Sequence, residues 1–294
     1  MNPVQRRALR TAVVSAAALA FVATTSDARA YCRSTTCDPQ TYDCPVDDNG
    51  CSRGGPPLSW RTLPLQYRFQ RDGSSKLDMD LAREAARRAF DTWSEVRCKS
   101  GRTSLRFEEG PDITRDKPLK KKSQGSEPFG IYFRDETWPY ASGDDALAIT
   151  SQTFGMYSGY IEYADIEINT SQRQYAVGDE EPGIDLQAVF THEIGHYIGL
   201  AHSNASDSIM VARYCQSADR CGKDVETARA LAQDDIDAVC ALYPPSGIAG
   251  VKYEEPSGCA ATSAPGRDEK SAWPVVLAFG AVLIAAARAR RTRG

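Results

Sequence analysis

All three histidines of this 294-residue chain lie in one short stretch, THEIGHYIGLAHS at residues 191–203. His192 and His196 are four residues apart, which places them one turn apart on the same face of a helix. Two imidazoles placed in this way can bind a single metal ion. Because a chain with so little histidine has all of it in one place, we interpret these residues as metal ligands.

Three neighbouring residues indicate which kind of metal site this would be. Glu193 is turned about 100° around the helix axis from His192, so it can flank the metal without binding it. Gly199 is suited to the left-handed turn that ends a helix, and such a turn could return His202 to the same metal. Three nitrogen ligands leave a fourth position open, as in catalytic zinc sites. There a bound water has its pKa lowered toward about 7, and Glu193 could take its proton.

The stretch also resembles a known family. HEIGHYIGLAHS is similar to the HExxHxxGxxH signature of the metzincin zinc endopeptidases, and Ser203 after the third histidine resembles the matrixin branch. ADIEIN resembles the strand before the active-site helix, and SIM resembles the Met-turn, with Met210 beneath the zinc ligands. LAQDDIDAVCALYP resembles the C-terminal helix, which Asp234 and Asp235 begin. Together these stretches imply a matrixin-like domain over most of residues 60–244.

The sequence departs from the matrixin pattern at several points. Ala212 stands where matrixins usually have a proline, which puts the wall of the specificity pocket in doubt. No histidine is left over for the structural zinc of mammalian matrixins, so we expect one zinc ion. The cysteine-switch propeptide motif is absent. Cys51 could cover the zinc as a thiolate, but a disulfide is the favoured interpretation.

The resemblance implies a zinc endopeptidase with Glu193 as base toward water and then as acid toward the leaving amine. The resemblance also implies that an extended protein or peptide substrate lies beside an edge strand around Leu147–Thr153 and pairs with its backbone. The first alternative is a catalytically inactive surface binding or adhesion module on the same fold. The second is a zinc hydrolase that is not a protease.

The hydrophobic pattern predicts the elements that would position this site. Strands are expected at Leu65–Gln70, Ser104–Phe107, Gly130–Phe133, Ala146–Thr153 and Tyr160–Ile168, and helices at Leu77–Cys98, Asp185–Leu200 and Ala228–Tyr243. The first helix would bury Leu81, Ala85, Ala89 and Trp93. The fold class is therefore α+β and metzincin-like. We expect a twisted, mostly parallel sheet of about five strands with a backing helix, an active-site helix and a C-terminal helix.

Alternation in IEYADIEIN places Ile166 and Ile168 on one strand face and Asp165 and Glu167 on the other. Exposed acids on a strand face are usually solvated. The same two acids could also bind Ca²⁺, so calcium is a second possible cofactor beside Zn²⁺.

The N-terminal residues are predicted to be an export signal. Arg6, Arg7 and Arg10 precede a short apolar stretch, and Ala28-Arg29-Ala30 is a small-x-small cleavage pattern. The apolar stretch is too short to span a membrane. We therefore expect the chain to be exported, either secreted or held at the cell surface.

A second apolar run, Ala272–Ala287, is followed at once by arginines. Its length is marginal against the roughly 20 residues that a spanning helix needs, but the basic cluster is typical of a stop-transfer end. With Gly258-Cys259 upstream, the tail resembles the sorting tails of myxobacterial surface proteins, which implies an apolar helix and processing near Cys259. A plain membrane anchor is the alternative, and either predicts association with the membrane or the cell surface.

These observations divide the chain into five parts: a signal peptide at 1–30, a Cys-rich segment at 31–58, a catalytic domain at 59–244, a linker at 245–271, and a sorting or anchor segment at 272–294. The exported chain would contain nine cysteines, an even set in the body and Cys259 in the tail, which predicts disulfides in the body. Cys215 and Cys221 could close a small loop.

The net charge of −4 and the absence of aromatics among the lysines near Lys120 argue against nucleic-acid binding. We expect a monomer.

Overall fold

The computed structural model describes residues 31–37, 43–114, 129–140, 146–178, 183–214, 228–249, 276–279 and 283–284. The helices are α1 (Met79–Ser94), α2 (Leu186–Tyr197) and α3 (Gln233–Leu242). The longer strands are β1 (Leu65–Phe69), β4 (Phe107–Glu109), β5 (Gly130–Phe133), β6 (Ala148–Phe154), β7 (Ile161–Ile168) and β11 (Val276–Phe279). Two-residue strands are β2 (Arg97–Cys98), β3 (Gly101–Arg102), β8 (Tyr175–Ala176), β9 (Ile184–Asp185), β10 (Arg213–Tyr214) and β12 (Leu283–Ile284).

The main sheet has the strand order β11-β6-β7-β5-β1-β4. Strands β4, β1, β5 and β7 run parallel, whereas β6 is antiparallel to β7 and β11 is antiparallel to β6. Without β11, this is the predicted five-stranded, mostly parallel sheet, and the α+β fold class is confirmed.

Helix α1 backs the active-site helix α2. It begins at Met79 because the Asp78 side chain accepts hydrogen bonds from the amides of Asp80 and Leu81. Trp93 is fully buried, and its indole N–H donates to the carbonyl of Thr191 in α2 at 2.8 Å. The prediction that Leu81 is buried is wrong, since 44% of it is exposed. The buried face of this helix instead includes Ala82 and Ala86. The buried face is therefore rotated to one side of the face that the sequence predicts.

Three disulfides lie among the described residues: Cys32–Cys51, Cys37–Cys44 and Cys98–Cys240. The first two staple the Cys-rich segment, as predicted, and they exclude Cys51 as a free thiolate. The third joins β2 to α3 across 142 residues of sequence. The predicted Cys215–Cys221 loop lies outside the described residues.

The predicted C-terminal apolar helix falls mostly outside the described residues. Its two described pieces are strands, not helix: β11 pairs antiparallel with β6, and β12 pairs parallel with β10. Among the residues that the structure describes, no helix is long and apolar enough to cross a membrane.

Candidate metal centre

The active-site helix begins next to Asp185, as predicted, but it ends at Tyr197, three residues before the predicted end at Leu200. Asp185 caps its N-terminus by accepting a hydrogen bond from the amide of Ala188 at 2.8 Å. After Tyr197, Gly199 adopts φ 102°, and a Cβ at this position would lie 2.7 Å from the carbonyl oxygen of Leu58. Glycine is therefore needed both for the left-handed backbone and for the close approach. The turn directs the chain back toward the helix.

This turn brings the three histidines together. The Nε2 atom of His196 lies 3.1 Å from that of His192 and 3.3 Å from that of His202. Nδ1 of His192 bonds the carbonyl of Ile209 at 2.7 Å, and Nδ1 of His196 bonds the carbonyl of Leu200 at 2.8 Å. Because a carbonyl only accepts, each Nδ1 carries the proton and each Nε2 presents a lone pair to the shared point. The donor set therefore fits one zinc ion.

Burial keeps these imidazoles neutral, as metal ligands must be. Desolvation lowers the pKa of His192 to about 3 and that of His202 to about 4. Desolvation also lowers the pKa of His196 well below its usual value, with further lowering by the other two imidazoles. At neutral pH, no proton has to leave before a metal binds.

Glu193 lies beside the histidines and is fully buried. Its Oε2 accepts a hydrogen bond from the Thr150 hydroxyl at 2.6 Å, while its Oε1 has no hydrogen-bond partner in the described part of the chain. Burial raises the pKa of this carboxyl to about 8 in the absence of metal. One oxygen is thus held by the protein and the other is free to exchange a proton. Thr150 was not among the residues singled out in the sequence, because it lies 43 residues away on β6.

Met210 lies beneath the histidine-bearing helix. It is 2% exposed, and a Cβ built on Gly195 would lie 2.2 Å from its sulfur. Gly195, between the two helical histidines, is therefore the residue that lets the methionine pack so closely. The position agrees with the Met-turn that the SIM motif predicts.

Asp235 braces this turn from α3. Its carboxylate accepts hydrogen bonds from the Ser208 hydroxyl at 2.5 Å and from the Ile209 amide at 2.9 Å, and it is 1% exposed. The Ile209 carbonyl in turn orients His192. The sequence analysis identified Asp235 only as a helix start. Its contact with the Met-turn could not be found by spacing, since Ile209 and Asp235 are 26 residues apart in the sequence.

The acids of β7 are not solvated, so that part of the sequence analysis is wrong. Asp165 and Glu167 are both fully buried. Asp165 accepts from the Gly130 amide at 2.6 Å, and Glu167 accepts from the Arg134 guanidinium at 2.5 Å. Burial raises the pKa of Glu167, and the arginine opposes that rise. Both faces of β7 are covered in this part of the strand, and both acids have protein partners.

The exposed side chain of Lys76 lies near the same end of the sheet. The ammonium of Lys76 donates to the carbonyls of Asp135 at 2.8 Å, Thr170 at 2.9 Å and Ser171 at 3.4 Å. Converging carbonyl oxygens are the kind of ligand that calcium also uses. Here a side chain of the protein bonds to them.

The outer edge of β6 holds an extended segment of the same chain. Val276–Phe279 pair antiparallel with Thr150–Thr153, so Phe279 is in register with the residue that contacts Glu193. In a separate two-stranded sheet, Leu283 of β12 is in register with Arg213 of β10, which follows the Met-turn. The edge predicted to receive substrate can therefore accept an extended backbone.

Comparison with known proteins gives one consistent result. A family model described as matrixin matches residues 59–244. Matrix metalloproteinase-C of Caenorhabditis elegans is 30% identical over 191 residues, which cover 65% of this chain and 29% of that protein. Interstitial collagenase of Bos taurus is 30% identical over 194 residues (64% and 33%), and metalloendoproteinase 1-MMP of Arabidopsis thaliana is 31% identical over 194 residues (64% and 45%). The chain thus spans less than half the length of each of these relatives.

Proposed function

Because the chain belongs to the matrixin family, we propose that it is an exported zinc endopeptidase that hydrolyses peptide bonds in protein or peptide substrates. The observation that carries the proposal is the convergence of three imidazole Nε2 atoms, from the buried His192 and His196 and the half-buried His202, beside a buried glutamate. His192, His196 and His202 are the proposed ligands. Met210 and Gly199 support them, one by packing and the other by turning the chain.

A zinc ion bound here would polarise the peptide carbonyl and lower the pKa of a nearby water. Glu193 takes the proton of that water as it attacks, and then gives a proton to the leaving amine. Two features of the site support this role. Thr150 holds one carboxylate oxygen in place, and the other oxygen, which has no hydrogen-bond partner in the described part of the chain, is available to exchange a proton.

The substrate is proposed to lie along the outer edge of β6 as an additional antiparallel strand. Backbone pairing of this kind supplies affinity without demanding one side-chain sequence. The pairing of Val276–Phe279 with that edge supports the proposal, since it has the expected direction and is opposite Thr150.

The test is Glu193→Gln, compared with Glu162→Gln at the exposed start of β7. The first variant keeps the size of the side chain but removes the basic carboxylate. Its kcat/KM for a peptide should fall by roughly 10²–10⁴-fold, while its zinc content stays at one per chain. The second variant should match the parent. Loss of zinc from Glu193→Gln would mean that Glu193 belongs to the metal site, and activity within about tenfold of the parent would exclude it as the base.

The parent itself separates this proposal from the alternatives. Cleavage of a denatured protein, blocked by a chelator, is expected of an endopeptidase. A parent that binds zinc but cleaves no protein would instead point to an inactive surface module or to a hydrolase with another substrate.

We also propose that residues 1–30 direct export and that the tail beyond Cys259 serves sorting or anchoring. The support is the charge and apolar pattern at each end of the sequence. Mass spectrometry of the mature protein should find no residues after about Cys259. A C-terminus intact to Gly294 would favour a simple membrane anchor.

A further inference from the structure

The third histidine is held less directly than the other two. His192 and His196 lie on α2, and the carbonyls of Ile209 and Leu200 bond their Nδ1 atoms. His202 lies beyond the end of α2 and is half-buried, and the described part of the chain provides no hydrogen-bond partner for its Nδ1. The position of this ligand therefore depends on the contacts that fix the backbone of its loop.

The Cys-rich segment fixes that backbone on the side of His202 that faces α2 in the sequence. Residues 32–34 pair antiparallel with residues 199–201. The amide of Ala201 donates to the carbonyl of Cys32 at 2.9 Å, and a second backbone hydrogen bond of 2.9 Å closes the other end of the pairing. Residues 32–34 are therefore the strand partner of the residues directly before His202.

The same segment contacts the loop again on the other side of His202. The Asn204 side chain donates to the carbonyl of Asn49. Asn49 lies in a tight turn, in which one carboxylate oxygen of Asp47 accepts hydrogen bonds from two backbone amides at 2.9 Å each. Gly50 in this turn has φ 76°, and a Cβ built on it would lie 3.0 Å from the side-chain nitrogen of Asn204. The turn thus packs closely on the loop.

A disulfide joins these two contacts. Cys32 accepts the hydrogen bond from Ala201. Cys51 ends the turn that contacts Asn204. The Cys32–Cys51 bond links the two points, and His202 lies between the two contacted residues of the loop. The third histidine is therefore enclosed by a covalently closed arrangement, although its own ring has no anchor of the kind that holds the other two.

We propose that the Cys32–Cys51 disulfide is a clip that positions His202 for zinc, so that the protein retains zinc firmly only when this pair is oxidised. Without the disulfide, the two contacts no longer restrain each other. The disulfide forms when two thiols lose two protons and two electrons to an oxidant such as another disulfide, which becomes two thiols. Oxidants of this kind act outside the cytoplasm. The inference rests on the proposed zinc site but not on the proposed hydrolysis of peptides.

The test compares two paired substitutions in the full chain. Cys32→Ser with Cys51→Ser removes the clip, and Cys37→Ser with Cys44→Ser removes the other disulfide of the same segment. The measurements are the rate at which a chelator removes zinc and the rise in Tm when zinc is added to the metal-free protein. Neither requires catalysis. A disulfide that only stabilised the fold would lower the Tm equally with and without zinc.

The chain without the clip should release zinc about ten- to a hundredfold faster than the parent. Its zinc-induced rise in Tm should be about 3–5 °C smaller, as expected for zinc affinity that is about tenfold weaker. The Cys37→Ser, Cys44→Ser chain should release zinc within about twofold of the parent rate. Asn204→Ala should speed release roughly two- to fivefold in the parent and less in the chain without the clip, because both changes act on one arrangement.

Reduction of the unmodified chain tests the redox dependence. In glutathione buffers of increasing reducing strength, zinc release should follow the fraction of Cys32 and Cys51 present as thiols, measured by alkylation and mass spectrometry. Three results would overturn the inference: equal zinc release from the two paired variants, an undiminished zinc-induced rise in Tm without the clip, or release that follows reduction of Cys98–Cys240 instead. None of them would bear on peptide cleavage, which Glu193→Gln tests separately.

Discussion

Replacing Thr150 by valine should separate the orientation of Glu193 from the binding of zinc. The Thr150 hydroxyl is fully buried and donates to Glu193 Oε2 at 2.6 Å, and it also lies 3.1 Å from the Glu193 carbonyl oxygen. Valine has nearly the same shape but no donor. Both carboxylate oxygens would then lack a protein partner among the described residues, since Oε1 already has none.

The expected loss follows from the strength of that bond. A hydrogen bond to a charged group contributes about 1.5–3 kcal/mol, and each 1.4 kcal/mol is a factor of ten, so kcat/KM should fall about 10- to 150-fold. The three histidines do not contact this hydroxyl, so zinc content should remain at one per chain. The assay measures kcat/KM for a quenched peptide, zinc by elemental analysis, and Tm on one preparation.

Two controls come from the same strand. Thr150→Ser keeps the hydroxyl and should retain most activity. Thr153→Val removes a buried hydroxyl that has no hydrogen-bond partner in the described part of the chain, so it should leave kcat/KM unchanged. If Thr150→Val stayed within about twofold of the parent, or if Thr153→Val were equally harmful, the hydrogen bond to Glu193 would not be what positions the base.

Three further predictions concern the surroundings of the site. Asp235→Ala should lower the free energy of unfolding by about 2–4 kcal/mol in urea melts, because two donors of the Met-turn lose their acceptor. The control Asp237→Ala should change that free energy by less than about 0.5 kcal/mol. A chain ending at residue 271 should cleave peptides roughly two- to tenfold faster than the full chain, because Val276–Phe279 no longer pair with the β6 edge. Equal rates for the two chains would show that the tail does not compete with substrate. Adding millimolar calcium should change the Tm of the parent by no more than about 1 °C, because the Lys76 ammonium already bonds three carbonyls. The same calcium should raise the Tm of Lys76→Ala. A parent whose Tm rises strongly with calcium would contradict this prediction.

The metal ligands could be predicted from the sequence because they are local. Two of them are one helical turn apart, and the third follows a glycine whose backbone angle, φ 102°, only glycine adopts readily. The residues that act on the site from a distance were not predictable in this way. Thr150 meets Glu193 across 43 residues, and Asp235 meets Ser208 across 27, through tertiary packing that has no period in the sequence.

The β7 strand shows where a pattern misleads. Alternation of apolar and acidic residues usually means that one face of a strand is in water. Here β7 lies inside the sheet between β5 and β6, and both faces are covered around Asp165 and Glu167, so these two acids are buried. Arg134, which bonds Glu167, is distant in sequence, so nothing near β7 indicates that its acid is paired.

The dependence of the Met-turn on α3 has a consequence for the order in which the protein acquires activity. A chain that crosses a membrane from its N-terminus presents His192 and Glu193 before Asp235 has emerged. Until α3 arrives, Ser208 and Ile209 lack their acceptor, and Cys98 lacks its partner Cys240. Under the proposed export, the nascent chain would therefore cross the membrane before the Met-turn is complete, and the proposed protease activity would appear only after α3 has emerged.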